Sequence, residues 1–154
     1  NMKYLKIAFA VLAMIFCIGC KQYETDKETQ KSFKGDIVVT NQDGSNFTDR
    51  NIRVSISESL EAKGTYDMLL KGVKFAEKMP VRIKMTIPGL KVENGKISGE
   101  NIVPWAMGGP FAEWTIKKIN GTISYDSNGE YSALDFDMVC AEYPVKFKGL
   151  YIEE

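Results

Sequence analysis

The residues best suited to hold a small apolar molecule lie in one loop between two stretches of strand character. The segment from Val103 to Phe111 places Trp105, Met107 and Phe111 beside glycine and proline, and Trp114 follows shortly after. An apolar lining of this kind is what a small hydrophobic ligand needs. The sequence therefore predicts a ligand site at Trp105, Met107, Phe111 and Trp114. The alternative is that Trp105 and Phe111 fold back as a plug over one end of the core. In that case Trp114 is a core residue.

Catalytic and metal chemistry find little support in the composition. Histidine is absent from the chain, which excludes Ser-His-Asp and Cys-His catalysis and histidine-bearing zinc sites. Asp135 and Asp137 are two residues apart on a strand and share its solvent face, so they do not form a catalytic pair. The turns at Asn41–Gly44 and Asp126–Glu130 lack the ligand spacing and the late bidentate Glu of a calcium loop, and turn chemistry explains both. We predict neither an enzyme, nor a metal site, nor a cofactor.

The N-terminal residues have the order of a secretory signal. Lys3 and Lys6 precede an apolar run from Ile7 to Ile18, which ends on the small residue Gly19. A basic region, a short apolar region and a small-residue cleavage site predict a signal peptide over residues 1–19. The run is too short to cross a bilayer as a helix, which needs about 20 residues. The alternative is a buried helix.

The end of this segment, Cys17-Ile18-Gly19-Cys20, resembles a bacterial lipobox, in which Cys20 would receive the lipid and become the new N-terminus. It departs from the usual pattern because Cys17 stands where an aliphatic residue is common. If Cys17 leaves with the signal and Cys20 is lipidated, Cys140 is the one cysteine left and no internal disulfide can form. Otherwise Cys20 could pair with Cys140. Cys140 has inward strand parity and is predicted to be a small buried apolar residue.

The rest of the chain divides into a short polar segment and one domain. Residues 20–34 hold the predicted lipid site and a flexible, charged tether, and residues 35–151 are long enough for a single domain with a core. Acids and bases number 20 each. Loss of Lys3 and Lys6 with the signal leaves the mature chain slightly acidic, which argues against nucleic acid as a partner.

Eight short stretches of alternating apolar and polar residues predict an all-β domain. They run over Phe33–Thr40, Asn51–Glu58, Thr65–Phe75, Val81–Ile87, Lys96–Val103, Thr115–Tyr125, Tyr131–Cys140 and Tyr143–Tyr151. Turns are predicted between them, among others at Pro88-Gly89 and Asn94-Gly95. Strands in this order, without crossover helices, predict an antiparallel meander that either splits into a sandwich or closes on itself. We favour the eight-stranded antiparallel up-and-down β-barrel, because closure removes exposed edges. Large residues predicted to point inward are Met85, Tyr125, Phe136, Met138 and Phe147.

The order of several strand and turn motifs carries a family resemblance. These are Tyr66 to Phe75, Val81 to Val92 with Thr86-Ile87-Pro88-Gly89-Leu90, Asn94 to Gly99, Ile119 to Ile123 and Tyr143 to Gly149. Together they resemble the calycin-like β-barrel domain of Bacteroides-type lipoproteins, over nearly the whole mature chain. The resemblance implies a lipocalin-like barrel on an exported, lipid-anchored protein and implies no activity. The Gly-x-Trp signature of lipocalins is absent, so no lipocalin ligand residue carries over.

Two functions follow as expectations. The first is a barrel that is anchored to the outer membrane through Cys20, on its periplasmic or external face, and that binds a small apolar or amphipathic ligand. The alternative is a solid barrel that acts as an interaction module for a surface protein or glycan. We also note a basic face formed by Arg82, Lys84, Lys146 and Lys148, which could attract an anion or lipid headgroups but is interpreted first as a solubilising surface.

Overall fold

Strands make up almost all of the regular structure. The computed structural model describes residues 23–154, so the predicted signal peptide and Cys20 lie outside the described residues. The strands are β1 (Lys31–Thr40), β2 (Asn46–Glu58), β3 (Tyr66–Val73), β4 (Ile83–Glu93), β5 (Lys96–Ile102), β6 (Trp105–Ala106), β7 (Gly109–Pro110), β8 (Ile116–Tyr125), β9 (Tyr131–Cys140) and β10 (Tyr143–Ile152). A single turn of 3₁₀-helix covers Ala112–Trp114.

The eight long strands form a closed antiparallel barrel. Neighbours around the wall follow the order β1, β2, β3, β4, β5, β8, β9 and β10, and β10 pairs back with β1. The short strands β6 and β7 form a hairpin that extends beside β4. The predicted all-β, eight-stranded antiparallel barrel is confirmed.

One predicted turn is wrong. Pro88 and Gly89 lie inside β4, where they face the single residue Asp67 of β3 between the pairs Tyr66–Leu90 and Met68–Ile87. Gly89 has φ of 73°, which a glycine adopts at little cost. The Pro-Gly sequence therefore makes a β-bulge in a continuous strand. The predicted Asn94-Gly95 turn is confirmed, with φ of 52° and 75°.

The inward residues fill the barrel much as their parity predicts. Phe136, Met138 and Cys140 of β9, Phe147 of β10 and Met85 of β4 are all buried in one continuous core. The prediction for Tyr125 is wrong, because the pairing of β8 with β9 shifts after Ser124 and the residue is 48% exposed at the rim.

Part of the outer wall is also covered. Ser55 and Ser57 of β2 have outward parity but are buried, because segments that flank β1 and β10 lie over this part of the wall. The N–H of Glu58 donates to Thr29 Oγ1 (2.9 Å), and Ser32 Oγ donates to Glu154 (3.0 Å). Since β1 begins at Lys31, the last four residues of the predicted tether lie in the barrel wall.

Candidate functional site

The loop from which a ligand site was predicted divides between two faces of the molecule. Trp105 pairs with Thr86 of β4 and lies on the opposite face of the hairpin from Ala106, which pairs with the core residue Met85. Its ring meets Tyr23 edge-on at 5.9 Å, outside the barrel. Trp105 therefore belongs to the outer wall.

Phe111 and Trp114 close one end of the barrel together with Phe75 from the β3–β4 connection. The Trp114 ring contacts Phe75 edge-on at 5.0 Å and Phe111 at 5.7 Å. Met107 occupies the tight turn of the β6–β7 hairpin, at φ of 54°, and packs partly against the core. Phe111 and Trp114 thus act as the plug that was the alternative, without Trp105. Ligand binding by the four residues stays a prediction.

The interior of the barrel is filled by side chains. Eleven large residues have less than 2% of their surface exposed: Phe33, Ile37, Met68, Leu70, Met85, Ile87, Leu90, Ile97, Ile116, Ile119 and Phe147. A cavity that held even one water molecule would leave accessible surface on the side chains around it. These residues therefore leave no room between them for a small molecule.

The most unusual feature of the outer wall is a line of bases across four adjacent strands, which we name the basic row: Lys34, Arg53, Lys71 and Lys84. Lys34 on β1 is directly opposite Arg53 on β2, and Lys71 on β3 is directly opposite Lys84 on β4. Arg53 and Lys71 stand side by side, one residue beyond the pair Val54–Leu70. Directly opposite residues in antiparallel strands have Cβ atoms about 5 Å apart. The row is therefore a continuous cationic band across half of the barrel wall.

The neighbouring row of outward residues has the opposite character. Asp36 on β1 is opposite Lys148 on β10, which is opposite Asp135 on β9. The next positions are Thr122 on β8 and Lys96 on β5. Charges in this row alternate in sign, as favourable cross-strand pairing requires. The contrast shows that like charges in register are a local property of the basic row.

The basic face that was predicted from the sequence is wrong as a group. Lys146 and Lys148 lie on β10, where they are opposite Asp137 and Asp135 of β9. Lys84 lies on β4, which is four strands away around the barrel. The bases that accompany Lys84 come from β1, β2 and β3, and only the pairing of these strands brings them together.

A shallow hollow on the surface borders three of the four bases of the row. The hollow is lined by five bases, Lys34, Arg50, Arg53, Lys71 and Arg82, and by Asn51, Ile52 and Gly72. No carboxylate is among these lining residues. The acids that serve them lie at its edges. Asp36 accepts a hydrogen bond from Arg50 at 3.3 Å, and buried Asp49 accepts two from Arg82 at 2.7 and 2.8 Å, which raises the pKa of that guanidinium.

A carboxylate already binds in the middle of the row. Glu154 accepts a hydrogen bond from Lys71 Nζ (3.0 Å) and one from Ser32 Oγ (3.0 Å), and Arg53 lies 3.4 Å away. The hydrogen bond from Lys71, followed by smaller contributions from Ser32 and Arg53, lowers the pKa of Glu154. Lys34 and Lys84, at the two ends of the row, form no ion pair with any residue of the described chain.

The segment before β1 adds a buried polar cluster beside the row. Tyr23 Oη donates to Asp67 Oδ1 at 3.3 Å, and burial together with the nearby Asp67 charge raises the pKa of Tyr23 to about 12. Burial also raises the pKa of Asp67, although the N–H of Gly89 donates to its carboxylate. Asp67 Oδ2 and Trp105 Nε1 are both buried and have no hydrogen-bond partner among the described residues. The cluster holds Tyr23 against the barrel wall.

Two further kinds of feature bear on function, metal sites and membrane-spanning helices. Within residues 23–154, no group of three or more Asp, Glu or Cys side chains is arranged to hold a metal ion. In the same part of the chain, no helix combines the length and the apolar character needed to span a bilayer.

Comparison with known proteins gives no relative. No protein-family model, no curated protein and no solved structure matches the chain. Inferences about function therefore depend on the sequence and on the barrel itself.

Proposed function

We propose that this protein is a lipid-anchored envelope protein whose solid barrel is an interaction module, with its binding surface on the outer wall. The observation that carries the proposal is the filled interior. A carrier of small molecules needs a cavity of roughly 300–1,000 Å³, whereas eleven large inward side chains have almost no accessible surface. The end near Trp114 is closed by aromatic rings. Of the two functions expected from the sequence, this favours the interaction module over the small-molecule carrier.

The anchor part of the proposal depends on the sequence alone. The resemblance of residues 17–20 to a lipobox supports lipidation of Cys20, and the signal-like residues before it support export to the outer membrane. Intact mass analysis of the protein from its host is expected to give a diacylglycerol or triacyl modification at Cys20. Cys20→Ser is expected to move the protein from the membrane fraction to the soluble fraction. Equal membrane retention of both forms would contradict the anchor.

The interaction part is tested by native mass spectrometry of the protein purified from its own host, followed by organic extraction. We expect the mass of the polypeptide with its anchor alone, and no enhancement in the fluorescence of an apolar probe such as N-phenyl-1-naphthylamine. Trp105→Ala and Phe111→Ala are the matched variants, and neither is expected to change the bound mass. A stoichiometric small molecule that is present in the wild type and lost in these variants would overturn the proposal in favour of a carrier.

A further inference from the structure

We infer that the basic row is a binding site for a linear acidic polysaccharide that bears carboxylate groups. This inference rests on the proposed interaction function and names its surface and the chemical class of its partner. It uses four bases that lie in register on β1 to β4, together with Arg50 and Arg82 at the edge of the adjoining hollow.

The first argument is the unfavourable charge pattern. Like charges directly opposite each other on neighbouring strands destabilise a sheet. The barrel avoids this in the row that contains Asp36, Lys148 and Asp135, where signs alternate. In the basic row it tolerates two directly opposite pairs of bases and a third adjacent pair. A polyanion that lies along the row would remove this repulsion.

The second argument is the way in which the row already holds a carboxylate. Glu154 receives one hydrogen bond from an ammonium group and one from a hydroxyl group, and an arginine lies alongside. Its carboxylate therefore stands in for the carboxylate of a ligand. Because it occupies the centre of the row, it also competes with that ligand, while Lys34 and Lys84 remain exposed on either side.

The third argument is the direction of the row. The row runs across the strands of a closed barrel, so successive bases point in different directions around a curved wall. A flat membrane would touch such a wall at one or two bases. A flexible linear chain can follow the curve, and the strand spacing of about 4.8 Å is comparable to the length of one sugar unit in an extended polysaccharide.

The experiment uses the full chain in detergent and polygalacturonate as the probe, with neutral dextran for comparison. Binding is measured by isothermal titration calorimetry at low salt and again at about 0.15 M salt, where screening weakens exposed ion pairs. We expect binding to polygalacturonate that decreases with salt, and none to dextran.

Two variants with opposite expected effects test the site. Lys34→Gln/Lys84→Gln removes two bases that have no acidic partner within residues 23–154. Exposed ion pairs are worth about 0.2–1 kcal/mol each, so the loss of two is expected to raise the Kd between roughly twofold and 30-fold. Glu154→Gln removes the competing carboxylate and is expected to lower the Kd by about two- to fivefold. Lys96→Gln/Lys148→Gln, from the alternating row, makes the same change in net charge and is expected to leave the Kd within about twofold.

Several results would overturn the inference. These are absence of binding by the wild type, an equal loss in the control variant, a weaker Kd for Glu154→Gln, or tighter row-dependent binding to DNA or to phosphatidylglycerol vesicles. Circular dichroism spectra and thermal midpoints identify any variant that fails to fold, and Glu154→Gln still tests the site in that case. The proposed function has a separate readout. If polygalacturonate does not bind and the native mass is that of the polypeptide with its anchor alone, only the polysaccharide inference fails. A bound small molecule would remove the interaction module as well.

Discussion

Removal of Phe147 from the core is expected to create the cavity that the wild-type barrel lacks. The Phe147 ring is 1% exposed, stacks on Phe136 with centroids 5.2 Å apart, and lies where a side chain on Gly149 would otherwise be. Gly149 has no side chain with which to refill the space. Phe147→Ala is therefore expected to cost about 4–5 kcal/mol in the free energy of unfolding, near the top of the usual range for this substitution. For a domain of this size, that corresponds to a fall in Tm of about 10–15 °C.

The assay is thermal unfolding, followed by circular dichroism, with and without benzene. A ligand that binds only the folded state stabilises it by RT ln(1 + [L]/Kd), or about 1.4 kcal/mol at ten times Kd, which is a few degrees in Tm. Benzene is expected to raise the Tm of Phe147→Ala and to leave the wild type unchanged. Leu150→Ala is the control, since this side chain is 69% exposed on the same strand and its loss leaves no cavity. An equal rise for the wild type, or a cost below about 1 kcal/mol for Phe147→Ala, would refute the packed-core argument.

Three further predictions concern stability. A Cβ atom on Gly35 would lie 1.8 Å from the carbonyl oxygen of Lys148, so Gly35→Ala is expected to cost at least about 3 kcal/mol through lost pairing of β1 with β10. A Cβ atom on Gly109 would have no atom within 4 Å, so Gly109→Ala is expected to change the free energy of unfolding by less than about 1 kcal/mol. Urea unfolding compares the two glycine variants, and equal midpoints would contradict the prediction. Burial raises the pKa of Asp67 above its unfolded-state value. The ionised carboxylate therefore lowers the free energy of unfolding. This loss is absent below the unfolded-state pKa, develops as the pH rises through the folded-state pKa and is complete above it. Asp67→Asn is therefore expected to raise the free energy of unfolding by about 1 kcal/mol at pH 7 and by progressively less toward pH 3, and a gain independent of pH would exclude this explanation. Asp49→Ala removes the carboxylate that accepts hydrogen bonds from the N–H of Lys74 and from the half-exposed guanidinium of Arg82. It is expected to lower the free energy of unfolding in urea by about 2 kcal/mol. A loss below about 0.5 kcal/mol would count against a structural role for this carboxylate.

Most of the barrel could be predicted because its strands are regular. In β9 and β10, residues such as Phe136 and Phe147 alternate with charged ones, so parity alone identifies the buried face. The Asn94-Gly95 turn follows from local conformational preference in the same way. Both properties depend on residues close together in the sequence, and the closed antiparallel wall follows from joining such strands in order.

The remaining features depend on contacts between distant residues. Pro88-Gly89 has the local signature of a turn, but continued pairing of β4 with β3 makes it a bulge. Ser55 alternates as a solvent-facing residue and is buried because other segments lie over it. The basic row was missed because Lys34, Arg53 and the other bases are single residues in four separate strands. A base at one outward position in each of four successive strands was the available signal, and only the pairing register aligns these positions.

The pairing of β1 with β10 has a consequence for how the protein folds. Every other pair of neighbouring strands in the wall is joined by a short connection or by the β6–β7 hairpin, whereas Ile37 and Phe147 meet across more than a hundred residues. The entropy of closing a loop rises with its length, and distant contacts slow folding. We therefore expect the β1–β10 seam to form last. In pulsed hydrogen exchange, amides at this seam should gain protection later than those between β8 and β9, and simultaneous protection would show that the barrel closes in a single step.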